Sequence, residues 1–377
     1  MANLVRRDTG LRESASTGLA VHGSAVNDEL DLALVDAVRV APRAPWSKLA
    51  GPLGVDPATL SRRWARLASS GDAWVTCYLS VDRLGSGLTA LVEVDCVAGR
   101  VMDVAARLSA QPWVASVEIV SGGTDLVLTV AALGPAELGR CVLRHIATVP
   151  GVRATRTSLV ERTLREGSRW RDGALDPEQR RALAATAGDR GGAHRAATPP
   201  ADWRTDLALA QALGADGRMP LAELAHRTGL PATSLRRRLS RLRSDGRLVL
   251  RCDVSPRLNG HPLGTMLWLD VPAAELPSVV PTLAELPQLR MCAVTLGSAN
   301  LVAYVVTHHP SEQRRFEQEL TARFPGVRLL SRQLVFGTVK LVGHLLDAEG
   351  RAAGYVPIAL ADQLCEGRLR PDVPPVE

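Results

Sequence analysis

"KLAGPLGVDPATLSRRWARLASSG", Lys48 to Gly71, and "ELAHRTGLPATSLRRRLSRLRSDG", Glu223 to Gly246, are one stretch written twice, 175 residues apart. Gly54 meets Gly229, Leu60 meets Leu235, Arg63 meets Arg238, Leu67 meets Leu242 and Gly71 meets Gly246. The register then continues without a gap. Cys77 falls on Cys252, Gly85 on Gly260, Asp95 on Asp270, Pro112 on Pro287, Gly122 on Gly297 and Leu126 on Leu301. Chance does not hold one register that long. The 377 residues read as two copies of a unit of about 140 residues, close to the common domain size.

Each copy changes period halfway. Its first part is helical. "ELDLALVDAV" (29–38) and "DLALAQAL" (206–213) predict a first helix, and a short second helix stops at Gly54 or Gly229. In copy one Asp56 caps the third helix and Pro57 takes its first position. Leu60, Trp64 and Leu67, like Leu235, Leu239 and Leu242, recur at i, i+4, i+7 and face inward. "AWVTCYLSV" and "RLVLRCDVS" follow as strands. Three helices with a hairpin wing make a winged helix-turn-helix. The second part alternates. "LTALVEVD", a helix over 101–109, "VASVEIV", "DLVLTVAA", a helix over 136–147 and "RATRTSLVE" give the ferredoxin-like order β-α-β-β-α-β, which copy two repeats from Leu263 to Lys340. The fold class is α+β, in two repeats.

The remainder differs in composition. Residues 1–26 are polar and read as disordered; "ATAGDRGGAHRAATPPAD" is a Gly/Pro/Ala linker, and Asp176-Pro177 opens a helix before it. The expected organisation is a first winged helix-turn-helix over 27–75 and a ferredoxin-like domain over 76–165. A partly helical linker over 166–201 follows, then a second winged helix-turn-helix over 202–250, a second ferredoxin-like domain over 251–345, and a tail over 346–377 without a clear signal.

The net charge is +6, which favours an anionic partner. Lys48 and Lys340 are the only lysines among 45 basic residues, a bias that GC-rich coding alone produces, so the arginines matter only by position. At about 100° per residue, Leu235, Leu239 and Leu242 fix the buried side of the third helix. Arg237 and Arg241 then point outward beside Ser240 and Ser244, with Arg236, Arg238 and Arg243 on the flanks. In copy one Arg62, Ala65, Arg66 and Ser69 point outward and Arg63 flanks them. From Pro231 to Arg247 six arginines stand against one aspartate, whereas a merely solvated face mixes signs. Such a face after a short turn suits the major groove of double-stranded DNA, where arginine forks onto guanine or phosphate.

The ordered set of motifs resembles the Lrp/AsnC (feast/famine) family of transcriptional regulators, here as a fused pair. Copy two shows Asp206, Asp216-Gly217-Arg218, Leu224-Ala225, Gly229-Leu230, Arg238-Leu239-Ser240-Arg241-Leu242 and Gly246-Arg247-Leu248. Copy one is more worn: Ala41-Pro42 replaces the Asp-Gly pair before Arg43, and Trp64 stands where a small aliphatic is usual. The resemblance implies a DNA-reading domain joined to a ligand-sensing (RAM) domain, and dimerisation through the sensing domains. One chain would then be an intrachain pseudo-dimer. It also implies that a turn between the second and third strands of each sensing domain lies near the site of an amino acid or similar effector. That turn is Gly122-Gly123-Thr124-Asp125 in copy one and Gly297-Ser298-Ala299-Asn300 in copy two, with Asp125 as the carboxylate for an ammonium group. Gly and Asp also favour plain hairpin turns.

Enzyme signatures are absent: no Walker A, no G-x-G-x-x-G after a strand, no H-E-x-x-H and no G-x-S-x-G. His308 and His309 are adjacent, so on a strand they face opposite ways and share no metal. Six scattered cysteines form no C-x-x-C pair, which fits a reducing cytoplasm and speaks against a zinc site. No apolar run reaches the length of a membrane span. The expectation is a cytoplasmic DNA-binding regulator that needs no metal or cofactor. The rival is a siroheme decarboxylase-like enzyme on the same fold, since such enzymes resemble paired Lrp/AsnC units and use histidine and arginine near a tetrapyrrole.

Overall fold

A computed structural model describes residues 28–360 apart from 84, 86, 171–172, 188–201 and 261. The N-terminal segment expected to be disordered, most of the Gly/Pro/Ala linker and the end of the tail lie outside these residues.

The first head contains α1 (Glu29–Val40), α2 (Trp46–Leu53), α3 (Pro57–Ser69) and β1 (Ala73–Leu79). Its turns follow the local chemistry. Gly54 takes φ 64° at the end of α2, and the Asp56 carboxylate accepts from the Ala58 and Thr59 N–H groups at the start of α3. The first sensing domain runs β2 (Gly87–Cys96), α4 (Val101–Ser109), β3 (Val114–Val120), β4 (Leu126–Leu133), α5 (Pro135–Arg140) and β5 (Val152–Arg165); α5 continues as π-helical turns over Cys141–Ile146. The linker helix α6 is Pro177–Ala187. The second head repeats the first as α7 (Trp203–Gly214), α8 (Leu221–Thr228), α9 (Ala232–Ser244) and β6 (Leu248–Val254). The second ferredoxin-like domain is β7 (Leu263–Asp270), α10 (Leu276–Glu285), β8 (Leu289–Leu296), β9 (Leu301–Thr307), α11 (Pro310–Arg323) and β10 (Arg328–Leu341). A hairpin of β11 (His344–Leu346) and β12 (Ala352–Tyr355) follows, spanning the expected boundary between the second ferredoxin-like domain and the tail.

The expected hairpin wing does not form. β1 and β6 pair with each other instead, antiparallel from Ala73 opposite Val254 to Leu79 opposite Leu248. Both strands are buried along nearly their whole length, so neither is fit to stand out as a solvated wing. The pairing joins the two heads, and a single apolar core runs through both.

The two sensing sheets close on each other. The order β3-β4-β2-β5-β8-β9-β7-β10 returns to β3, because β5 pairs with β8 and β10 with β3. These two cross-copy seams are equivalent under the 175-residue shift. Each 14-residue strand, β5 and β10, gives one half to its own sheet and the other half to its partner's. α4 and α5 cover the outer face of the first sheet, α10 and α11 that of the second, each with its own core. A fourth apolar cluster, with Leu91, Val127, Met266, Trp268 and Val302, lies inside the ring. Beside it, Trp268 donates to Gln333 (2.8 Å), which donates to Glu93 (2.9 Å).

The heads repeat this two-fold logic. Arg43 donates to the carbonyls of Gly217 and Met219, and its counterpart Arg218 donates to those of Pro42 and Ala44. Arg218 also lies 3.8 Å over the Trp46 ring, and burial lowers its guanidinium to about 10. The chain is folded as an internal pseudo-dimer. No helix among the described residues is long and apolar enough to cross a membrane.

Candidate nucleic-acid interface

The outward face of the third helix in each head is anchored by a carboxylate beneath it. Asp31 in α1 and Asp206 in α7 are buried, at equivalent positions. Arg63 reaches Asp31 at 3.1 Å and Arg238 reaches Asp206 at 2.5 Å. Arg63 also pairs with Asp28 at 2.7 Å, and Arg238 with Asp202 at 2.5 Å. Burial would raise the Asp202 carboxyl, but Arg238 outweighs it and holds the group below the ordinary range. Arg63 and Arg238, expected on the flank of a docking face, therefore tie the third helix to the first. A buried carboxylate left without its cation would be costly, which accounts for their engagement.

The outward set is unequal. On α9, Arg236, Arg237, Ser240, Arg241 and Ser244 are exposed. Arg236 and Arg237 have no acidic partner among the described residues, and Arg241 lies 3.8 Å from Asp202. On α3, Arg62, Ala65, Arg66 and Ser69 are exposed, yet Arg66 turns back to Asp31 at 2.5 Å and Arg62 donates to the Thr59 hydroxyl at 3.2 Å. Ser69 and Ser244 donate to the carbonyls of Arg66 and Arg241. Arg243, placed by its spacing on the flank of α9, is partly buried and faces inward to the cavity described below.

Both candidate effector turns have a structural duty. The Asp125 carboxylate accepts from the Cys96 N–H at 2.7 Å. Asn300 accepts from the Val271 N–H at 2.9 Å and donates to the Val271 carbonyl at 2.7 Å. Each side chain pins the end of the first strand of its own sheet. Gly122, Gly123 and Gly297 are exposed, whereas Thr124 is buried. Each turn also packs against the other copy: Gly122 lies near Arg332 and Gln333, Gly297 near Ser158. His309 caps α11, with Nδ1 2.9 Å from the Ser311 hydroxyl, so the histidine pair lies at a strand end.

A feature that the motifs did not point to is a cavity of about 380 Å³ inside the ring, under the heads. Neither effector turn lines it. Its roof includes Arg243 and Gly246 at the end of α9; its walls include Glu118, Arg251 and Arg290. Each of these three is a charged residue inside a strand, and that was the only sign of it in the sequence.

The class that fold and heads define is a fused pair of helix-turn-helix units on a shared β-barrel. The AsnC-type helix-turn-helix domain model matches residues 28–68 and 204–243, and the Lrp/AsnC ligand binding domain model matches 89–170. The HTH-type transcriptional regulator AldR of Mycolicibacterium smegmatis is 30% identical over 166 residues, covering 41% of this chain and 96% of that protein. An uncharacterised HTH-type transcriptional regulator of Pyrococcus abyssi is 29% identical over 126 residues, covering 33% of this chain and 78% of its own. The siroheme decarboxylase NirDL superposes with a TM-score of 0.53 at 17% identity, over 84% of this chain and 93% of that one, a likeness of fold. The chain belongs to the Lrp/AsnC family.

Proposed function

We propose that this chain is a sequence-specific transcriptional regulator that works in the cytoplasm on double-stranded DNA and responds to a small molecule. The observation that carries the reading is the exposed α9 face, where Arg236, Arg237 and Arg241 stand clear of the Asp206 clamp that holds Arg238. Those guanidiniums sit on the helix that would dock, and Arg62 adds a weaker counterpart on α3. Two heads on one chain suit an imperfect palindrome whose stronger half lies under residues 231–247. Genomic immunoprecipitation followed by footprinting of the purified chain tests this: a two-part footprint supports it, and the absence of any salt-sensitive DNA retention would refute it.

A siroheme decarboxylase-like activity is the second reading, raised by the fold shared with NirDL. No histidine lines the large cavity among the described residues, although such an enzyme would call for one near a tetrapyrrole. We favour a non-enzymatic role because the relatives matched over most of their own length are named transcriptional regulators. A Soret band that appears on adding siroheme, with loss of its acetate carboxylates, would reverse that preference.

A further inference from the structure

The cavity under the heads lies on the axis that relates the two copies. Part of its lining falls into pairs 175 residues apart, among them Ala115 with Arg290, Glu118 with Ala293 and Thr129 with Tyr304. In these three pairs one copy supplies a large polar or charged side chain and the other a smaller one, whereas Leu91 with Met266 and Thr163 with Thr338 stay alike. Glu166 with Leu341 is a further unequal pair, a charged side chain against an apolar one. Two identical subunits could not build such a wall, since every charge would appear twice across the axis and crowd out the void.

We infer that this cavity is a single binding site for one amphipathic organic acid, its carboxylate on Arg290 and its apolar body against Leu91, Met266 and Met291. The volume falls in the range of small-molecule sites, a few hundred Å³ and upward, and is far more than one or two waters need. Five arginines against three carboxylates line it, so an anion is favoured over a cation. The guanidiniums are held in place before any ligand arrives. Arg290 pairs with the buried Asp253 at 3.0 Å and lies over the Tyr304 ring at 5.7 Å; Arg251 holds the same Asp253 at 2.6 Å. Asp253 is shared between the two guanidiniums and Glu166 also acts on Arg251, so Arg290 is the one left with uncompensated charge toward the void. Such preorganised forks bind carboxylates without a large ordering cost. Glu118 faces the same space, and no hydrogen bond from another residue reaches its carboxyl among the described residues. Burial raises that carboxyl to about 7 against the pull of Arg290 and Arg251, so near neutral pH it can donate a proton to a bound carboxylate.

The site can be tested on the full-length chain without DNA, so its outcome is separate from that of the DNA-reading proposal. Calorimetric titration with naphthaleneacetate is compared with naphthaleneacetamide, which has the same apolar body and no charge. One acid should bind per chain, with the amide at least tenfold weaker. Arg290→Met should weaken the acid at least tenfold. Because that change also strips Asp253 of a partner, Ala293→Leu serves as a second variant: it fills the void opposite Glu118 and should abolish binding while leaving the melting temperature of the unliganded chain unchanged. Equal binding of acid and amide, two acids per chain, undiminished binding by a folded Ala293→Leu chain, or no saturable binding of the acid up to millimolar concentration would each overturn the inference.

Discussion

Arg66 and Arg247 neutralise equivalent buried carboxylates from non-equivalent positions: Arg66 reaches Asp31 from within α3, and Arg247 reaches Asp206 at 3.0 Å from just before β6. The position that matches Arg247 in copy one is Asp72, which can neutralise nothing there. Arg66 fills the vacancy and is drawn off the outward face. Its counterpart Arg241 stays on that face.

The heads should therefore differ in what they give DNA. Arg237→Ala/Arg241→Ala is expected to lose about 1–3 kcal/mol for each base contact and to flatten the salt dependence by about one unit per lost phosphate contact. Arg62→Ala should cost less and erase protection over one fixed half-site. Footprinting across a salt series reads both, and equal losses from both halves of the operator would mean that the heads are equivalent.

Removing the buried carboxylate tests the clamp itself. Asp206→Ala leaves Arg238 and Arg247 facing each other with no shared acid, and should destabilise the chain by about 3 kcal/mol or more. Since one core runs through both heads, the loss should move the melting of both together in urea titration. A shift below about 1 kcal/mol would show that the clamp is dispensable.

At the turns that hold Asp125 and Asn300 the amide and carboxylate forms should be interchangeable for folding. Asp125→Asn keeps an acceptor for the Cys96 N–H and gains the paired geometry that Asn300 has with Val271. Its stability should stay within about 0.5 kcal/mol of the parent, whereas Asp125→Ala should cost about 1–2 kcal/mol. If an ammonium-bearing effector uses this turn, Asp125→Asn should abolish the response while stability holds, and Asn300→Ala should spare most of it. Thermal melts and effector-dependent DNA binding on the same samples separate the two roles.

Lys340 is wholly buried on β10 with its ammonium donating to the Gln111 carbonyl, and burial lowers it to about 7 from an ordinary 10.5. Between these values the unfolded chain holds a proton that the folded chain lacks. Folding stability from this group accordingly rises with pH across the window and is lowest at and below about pH 7. Lys340→Met should stabilise the chain by about 1–3 kcal/mol at pH 7, and the difference should shrink toward pH 10. An advantage independent of pH would show that packing, not charge burial, sets the cost.

The repeat, the helix-turn-helix and the β-α-β-β-α-β order could be read from sequence because each is a local pattern, a period of 3.6 or 2 punctuated by Gly and Pro. The partner of a strand is not local. "AWVTCYL" reads as a strand whether it pairs with its neighbour or with a segment 175 residues away, and its continuous burial, which forbids a wing, appears only once the heads are assembled. The outward arginines followed from helical geometry, but the capture of Arg63 and Arg238 did not, because it depends on where α1 and α7 lie. The cavity charges were visible only as oddities: Glu118, Arg251 and Arg290 sit within strands, at positions whose counterparts are Ala293, Thr76 and Ala115.

The β1–β6 ladder has a consequence for mass action. In a dimer of separate chains such a ladder forms and breaks with protein concentration, and partners exchange. Here the two strands are tethered, so pairing is unimolecular at a high effective concentration set by the connecting chain. Dilution to a few molecules per cell leaves both heads joined, and no mixing with other family members can dilute the unequal pair. Two unequal heads that always travel together should also give the protein a front and a back on DNA, so that it sits on an operator in one orientation only.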